Sequence, residues 1–100
     1  YGLVGSEMCI RDRQQRGERY GEFKDVAQLS NDLMRLLQAT PNYNESLSDS
    51  QHFALVMITN KMARIVNGDP NYIDNWHDIA GYATLVEQEL IMTGHDKEAV

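Results

Sequence analysis

The chain has 100 residues, 15 of them acidic and nine basic, for a formal net charge of −6. That length makes one small domain, and an acidic balance repels phosphate backbones, which excludes duplex DNA or RNA as a partner. A single cysteine excludes an internal disulfide, and no apolar run reaches the length of a membrane span, so a cytoplasmic protein is expected.

In chain order, the first feature is Leu3 to Arg13, LVGSEMCIRDR. This stretch resembles the translation of a transposase adaptor used in sequencing libraries. Residues 1–13 are therefore set aside from fold reasoning, as a fusion scar would be. Their removal takes Glu7, Asp12, Arg11 and Arg13, two acids and two bases, and leaves the net charge at −6. Cys9 goes with them. Gln14 to Tyr20 reads as the last turns of an earlier helix, broken at Gly21, so an N-terminal helix is expected to be missing.

Phe23, Val26, Ala27, Ser30, Leu33, Met34 and Leu37 recur at helical spacing and predict an amphipathic helix over 23–39. Thr40-Pro41 ends it, because proline disfavours helical geometry in the preceding residue. Residues 42–47 read as loop. Ser48 opens a second helix (49–66), with Gln51 completing a capping-box pattern and Ala54, Leu55, Ile58, Met62, Ile65 and Val66 as its apolar stripe. Asn67-Gly68 predicts a left-handed C-terminal cap. A third helix (73–92) carries Trp76, Ile79, Ala80, Ala83, Val86 and Leu90 as its core stripe and stops near Gly94. No strand alternation or repeat is present. The expected architecture is all-α, a small bundle of three main helices in one domain over 14–94, with 95–100 as a tail. A core this thin leaves Leu29, Leu36 and Met57 short of cover, and a missing N-terminal helix, a homodimer or both are expected to supply it, with the homodimer favoured.

The candidate chemistry gathers in three places. Asp74 and Asp78 are four apart on one helical face, a geometry in which two carboxylates hold a hard divalent cation such as Mg²⁺. His77 sits at the edge of that face. Asp74 equally suits the positive end of a helix, and Asp78 equally suits an ion pair. Lys61 and Arg64, one turn apart, border an apolar stripe and call for an anionic partner, either Asp74 or Asp78 or a substrate phosphate. Arg16 and Tyr20 share a face before Gly21, and Glu22 with Asp25 forms a second possible carboxylate pair at a helix start. Gly81, in mid-helix, costs about 1 kcal/mol relative to alanine, so a close helix crossing is expected there, the alternative being a backbone opened to a ligand. Tyr82 is expected to lend its hydroxyl to a buried network or to a substrate.

The combination Arg16-x-x-x-Tyr20-Gly21, Lys61-x-x-Arg64 and Asp74-x-Trp76-x-Asp78-Ile79-Ala80-Gly81-Tyr82 resembles an uncharacterised small-domain family of bacteriophages and prophages. The resemblance implies a soluble all-α protein of phage or host, and no reaction. More distantly, Glu22-x-x-Asp25 and the Asp74/Asp78 pair are similar to the carboxylate motifs of the MazG-like all-α nucleoside triphosphate pyrophosphohydrolases, although the second pair has a different spacing and residue type. That similarity implies Mg²⁺-dependent chemistry on a triphosphate. In this reading Asp74 and Asp78 hold the metal (Glu22, Asp25 and His77 less directly), Lys61 and Arg64 take phosphate, and Arg16, Tyr20 and Tyr82 meet the rest of a nucleotide or phosphorylated metabolite. The alternative is a protein-interaction module whose polar groups only fix the bundle.

Overall fold

The computed structural model describes residues 17–95, which are helical with no strand among them. After a helical turn at 17–20, the elements are α1 (Phe23–Gln38), α2 (Tyr43–Ser46), α3 (Asp49–Asn67) and α4 (Ile73–Met92). The three long helices follow the apolar periodicity of the sequence to within a residue or so. The short α2 is an addition to the expected loop, and it sinks Tyr43 into the interior, where its hydroxyl meets His52 Nδ1 at 2.6 Å.

Local chemistry explains the helix starts. Ser48 accepts from the Gln51 amide at 3.1 Å, and the Gln51 side chain accepts from the Ser48 amide at 2.9 Å, so the capping box is complete. Asp69 turns the chain into α4 by accepting from the Asn71 amide.

The arrangement is a row. α3 packs against both α1 and α4, whereas α1 and α4 scarcely meet. The buried residues of α3 accordingly fall on two flanks. Ala54, Lys61 and Ile65 occupy one, Thr59 and Ala63 the other, about 160° around the helix axis. This corrects the expected single stripe. Ala54 and Ile65 are buried, Leu55 and Ile58 half-buried, and Met62 and Val66 exposed, because a helix with a neighbour on each flank covers its sides and not the strip between them. In α1, Val26, Ser30 and Met34 are buried as expected, but Phe23 stands in solvent at the helix start. In α4 the inward side is turned from the expected stripe. Asn75 is its most buried residue, Ile79, Val86 and Leu90 are half-covered, and Trp76, Ala80 and Ala83 are exposed.

Two glycines pin the entry segment to the end of α3. Gly21 has φ +86°, and a β-carbon there would stand 2.4 Å from Asn67 Cβ. A β-carbon on Gly68 would stand 2.4 Å from the Arg19 carbonyl oxygen. Gly68 has φ −120°, so the expected left-handed cap is corrected: glycine is required there by space and not by handedness. The Asp69 amide closes the junction by donating to the Arg19 carbonyl at 3.1 Å. Gly81 receives the opposite correction. Among the described residues nothing lies within 4 Å of a β-carbon built on it, so no close crossing of the described helices explains it.

Candidate functional site

Where the end of α3, the turn at 69–72 and the start of α4 meet, two arginines and two tyrosines stack. The Arg64 guanidinium lies over the Tyr20 ring, 4.7 Å from its centroid. Tyr20 meets Tyr72 edge to face at 5.5 Å, and Arg19 covers Tyr72 at 5.1 Å. The sequence places these groups together by a simple route. Gly21 reverses the chain, the Gly21–Asn67 approach brings Arg19 and Tyr20 to the last turns of α3, and the tight turn at 69–71 delivers Tyr72. Cation–π contact is favourable for guanidinium over tyrosine and leaves the N–H edge of the arginine free. Among the described residues no carboxylate lies within ion-pair distance of Arg64 or Arg19.

One turn back along α3, Lys61 is buried and its Nζ lies 3.1 Å from Asp78 Oδ2, while the Asp78 side chain keeps 42% of its exposure. The basic turn of α3 and an acid of α4 therefore meet, with Asp78 rather than Asp74 as the partner. Asp74 is exposed and accepts from the Tyr72 hydroxyl at 3.0 Å. The neighbouring Tyr20 hydroxyl and the Asp74 carboxylate, to which Tyr72 donates, push the Tyr72 hydroxyl up to about 12. Asn75, one turn before Asp78, is 1% exposed, and its Nδ2 has no acceptor among the described residues.

The remaining candidates separate. Arg16 and residues 1–13 lie outside the described residues. Glu22 and Asp25 are exposed residues at the start of α1, where a first-turn acid suits the helix dipole. His77 is exposed. Tyr82 is not joined to the polar cluster. Its ring meets Phe53 edge to face at 6.2 Å and lines a cleft of about 310 Å³ with Ala54, Leu85 and Glu89. Phe53 and Arg64 share a side of α3, so this cleft opens about 16 Å from the arginine–tyrosine stack along the same face. Among the described residues no group of three His, Cys, Asp or Glu side chains converges. Spacing along the sequence does not single out Arg19, Tyr72 or Asn75. Arg19 directly precedes the singled-out Tyr20, and Asn75 lies inside the Asp74–Tyr82 motif, but only the fold shows that they converge.

Of the comparisons with known proteins, one gives a match: a family described as a domain of unknown function, DUF6378, covers residues 4–90. Neither the curated proteins nor the solved structures hold a match.

Proposed function

We propose that this chain, which belongs to the DUF6378 family of unknown function, binds a nucleotide or other phosphorylated small molecule at the arginine–tyrosine stack. One observation carries the reading: Arg64 is held over Tyr20 with its N–H edge unspent and no carboxylate in ion-pair reach among the described residues. Arg64 and Arg19, held flat over Tyr20 and Tyr72, supply charge for phosphate. Lys61 is committed to Asp78, which offsets its charge, and is not assigned to phosphate.

A divalent ion belongs to the proposal only conditionally. Asp74 and Asp78 would first have to leave the Tyr72 hydroxyl and the Lys61 ammonium, and a cation beside Lys61 meets like charge. The anion is therefore assigned to Arg64. The finer expectation of a phage-type accessory protein in the host cytoplasm is carried with this proposal.

Calorimetric titration and thermal shift with a panel of nucleoside mono-, di- and triphosphates, with and without Mg²⁺, test it. Binding by the native protein and its loss in Arg64→Ala, with the helical circular dichroism unchanged, is the expected result. No heat and no thermal shift across the panel would defeat it. The second reading, an interaction module, is favoured by the Lys61–Asp78 pair, which locks the register of α3 on α4 without any ligand. In that case no nucleotide binds and Arg64→Ala changes neither stability nor nucleotide response, whereas Asp78→Ala lowers stability under either reading.

A further inference from the structure

The row of helices has two broad faces, and they differ in kind. One carries Arg64, Tyr20, Tyr72 and the Phe53–Tyr82 cleft. On the other, α3 presents Leu55, Ile58, Met62 and Val66, the strip between its two buried flanks, with Met62 46% and Val66 71% exposed. The edge of α4 opposite Asp78 and Tyr82 adds Trp76 and Ala83, both exposed. α1 runs antiparallel to α3, since Gly21 meets Asn67, and adds Leu29 and Leu36, the latter 70% exposed. None of these strips includes a lysine or arginine.

We infer that this apolar face is the interface between two copies of the chain, stacked face to face as two layers of three helices. Size supports a second copy over a single added helix. Helices of 16 to 20 residues are about 24–30 Å long and pack about 8–10 Å apart, so the face covers on the order of 700 Å². Two such faces would bury about 1,400 Å² together, inside the range of about 1,200–2,000 Å² typical of stable complexes. One amphipathic helix would cover only the groove between two of the three. A face repeated on both partners also satisfies the self-complementarity that a two-fold dimer demands. The pairing leaves the arginine–tyrosine face outward on both sides, so it stands independently of the proposed ligand.

Sedimentation velocity and light scattering on the full chain test it. The native protein is expected at twice the 11.4 kDa chain mass, with a melting midpoint that rises with concentration. M62E/V66E places two carboxylates on side chains already open in the single chain. It is expected to run at the single-chain mass with unchanged helix content and a concentration-independent midpoint. Leu85→Glu, on the opposite face, is expected to leave the dimer intact. A native protein that is monomeric throughout dilution would overturn the inference, leaving the face to another protein or to lipid. A dimer that survives M62E/V66E, or is lost only in Leu85→Glu, would overturn it as well.

Discussion

Lys61 and Asp78 meet across the α3–α4 boundary with Nζ and Oδ2 3.1 Å apart, the lysine buried and the carboxylate open to water. The asymmetry of that burial sets an asymmetry of consequence. Asp78→Ala strands a buried ammonium and is expected to cost about 2–3 kcal/mol, below the 3–5 typical of fully buried pairs because water can reach toward the vacated site. Lys61→Met removes the buried charge instead, and leaves an aspartate that water solvates. It is expected to change stability by less than about 1 kcal/mol. Urea unfolding of the two variants gives the comparison, and equal losses would contradict it.

The glycines divide into two classes. Gly21→Ala and Gly68→Ala each drive a β-carbon into Asn67 or Arg19, with an expected loss of about 2 kcal/mol or more. Gly81→Ala meets open space and is expected to gain up to about 1 kcal/mol from helix propensity. Thermal melts of the three variants should order Gly81→Ala above the native protein and the other two below it.

Tyr72 makes one contribution to stability pH-dependent in the alkaline range. Its folded-state value of about 12 lies above the ordinary 10.0, so the protonated hydroxyl is favoured in the fold. That contribution is fully present below pH 10 and is lost as pH rises through about 12. Tyr72→Phe removes it, so the variant is expected to lose less stability than the native chain over that interval. Alkaline denaturation followed by circular dichroism provides the measurement, and tyrosinate absorbance should show Tyr72 ionising late.

The capping box is a local device with a local value. Ser48→Ala removes the acceptor of the Gln51 amide and is expected to cost about 1 kcal/mol, with Ser48→Asp restoring most of it. Melting of the two variants side by side distinguishes loss of the cap from a general surface effect.

The long helices were legible because apolar periodicity, a proline after Thr40 and the Ser48–Gln51 pair are short-range signals. Their inward faces were less legible. A helix with one neighbour shows one stripe, whereas α3 has two, and Lys61 and Thr59 are covered because of where α4 and α1 lie. Asn75 is hidden from sequence reading for a related reason: a lone asparagine among Asp74, Trp76 and His77 looks like surface until the rotation of α4 is known. Lys61–Asp78 could be anticipated as a basic turn seeking an acid, but the choice of Asp78 over Asp74 depends on that same rotation. The arginine–tyrosine stack lay further out of reach, since it is assembled by a glycine pinch between segments some fifty residues apart in the chain. Gly81 misled in the other direction, because a mid-helix glycine suggests a crossing that α4 does not make.

A row of helices also distributes cooperativity unevenly. Because α1 and α4 each lean on α3 and hardly on one another, either outer member can detach while the remaining pair persists, whereas melting of the central one dissolves everything. Amide protons in the middle of α3 should therefore exchange only through complete unfolding, and those of the flanking segments through cheaper, separate openings.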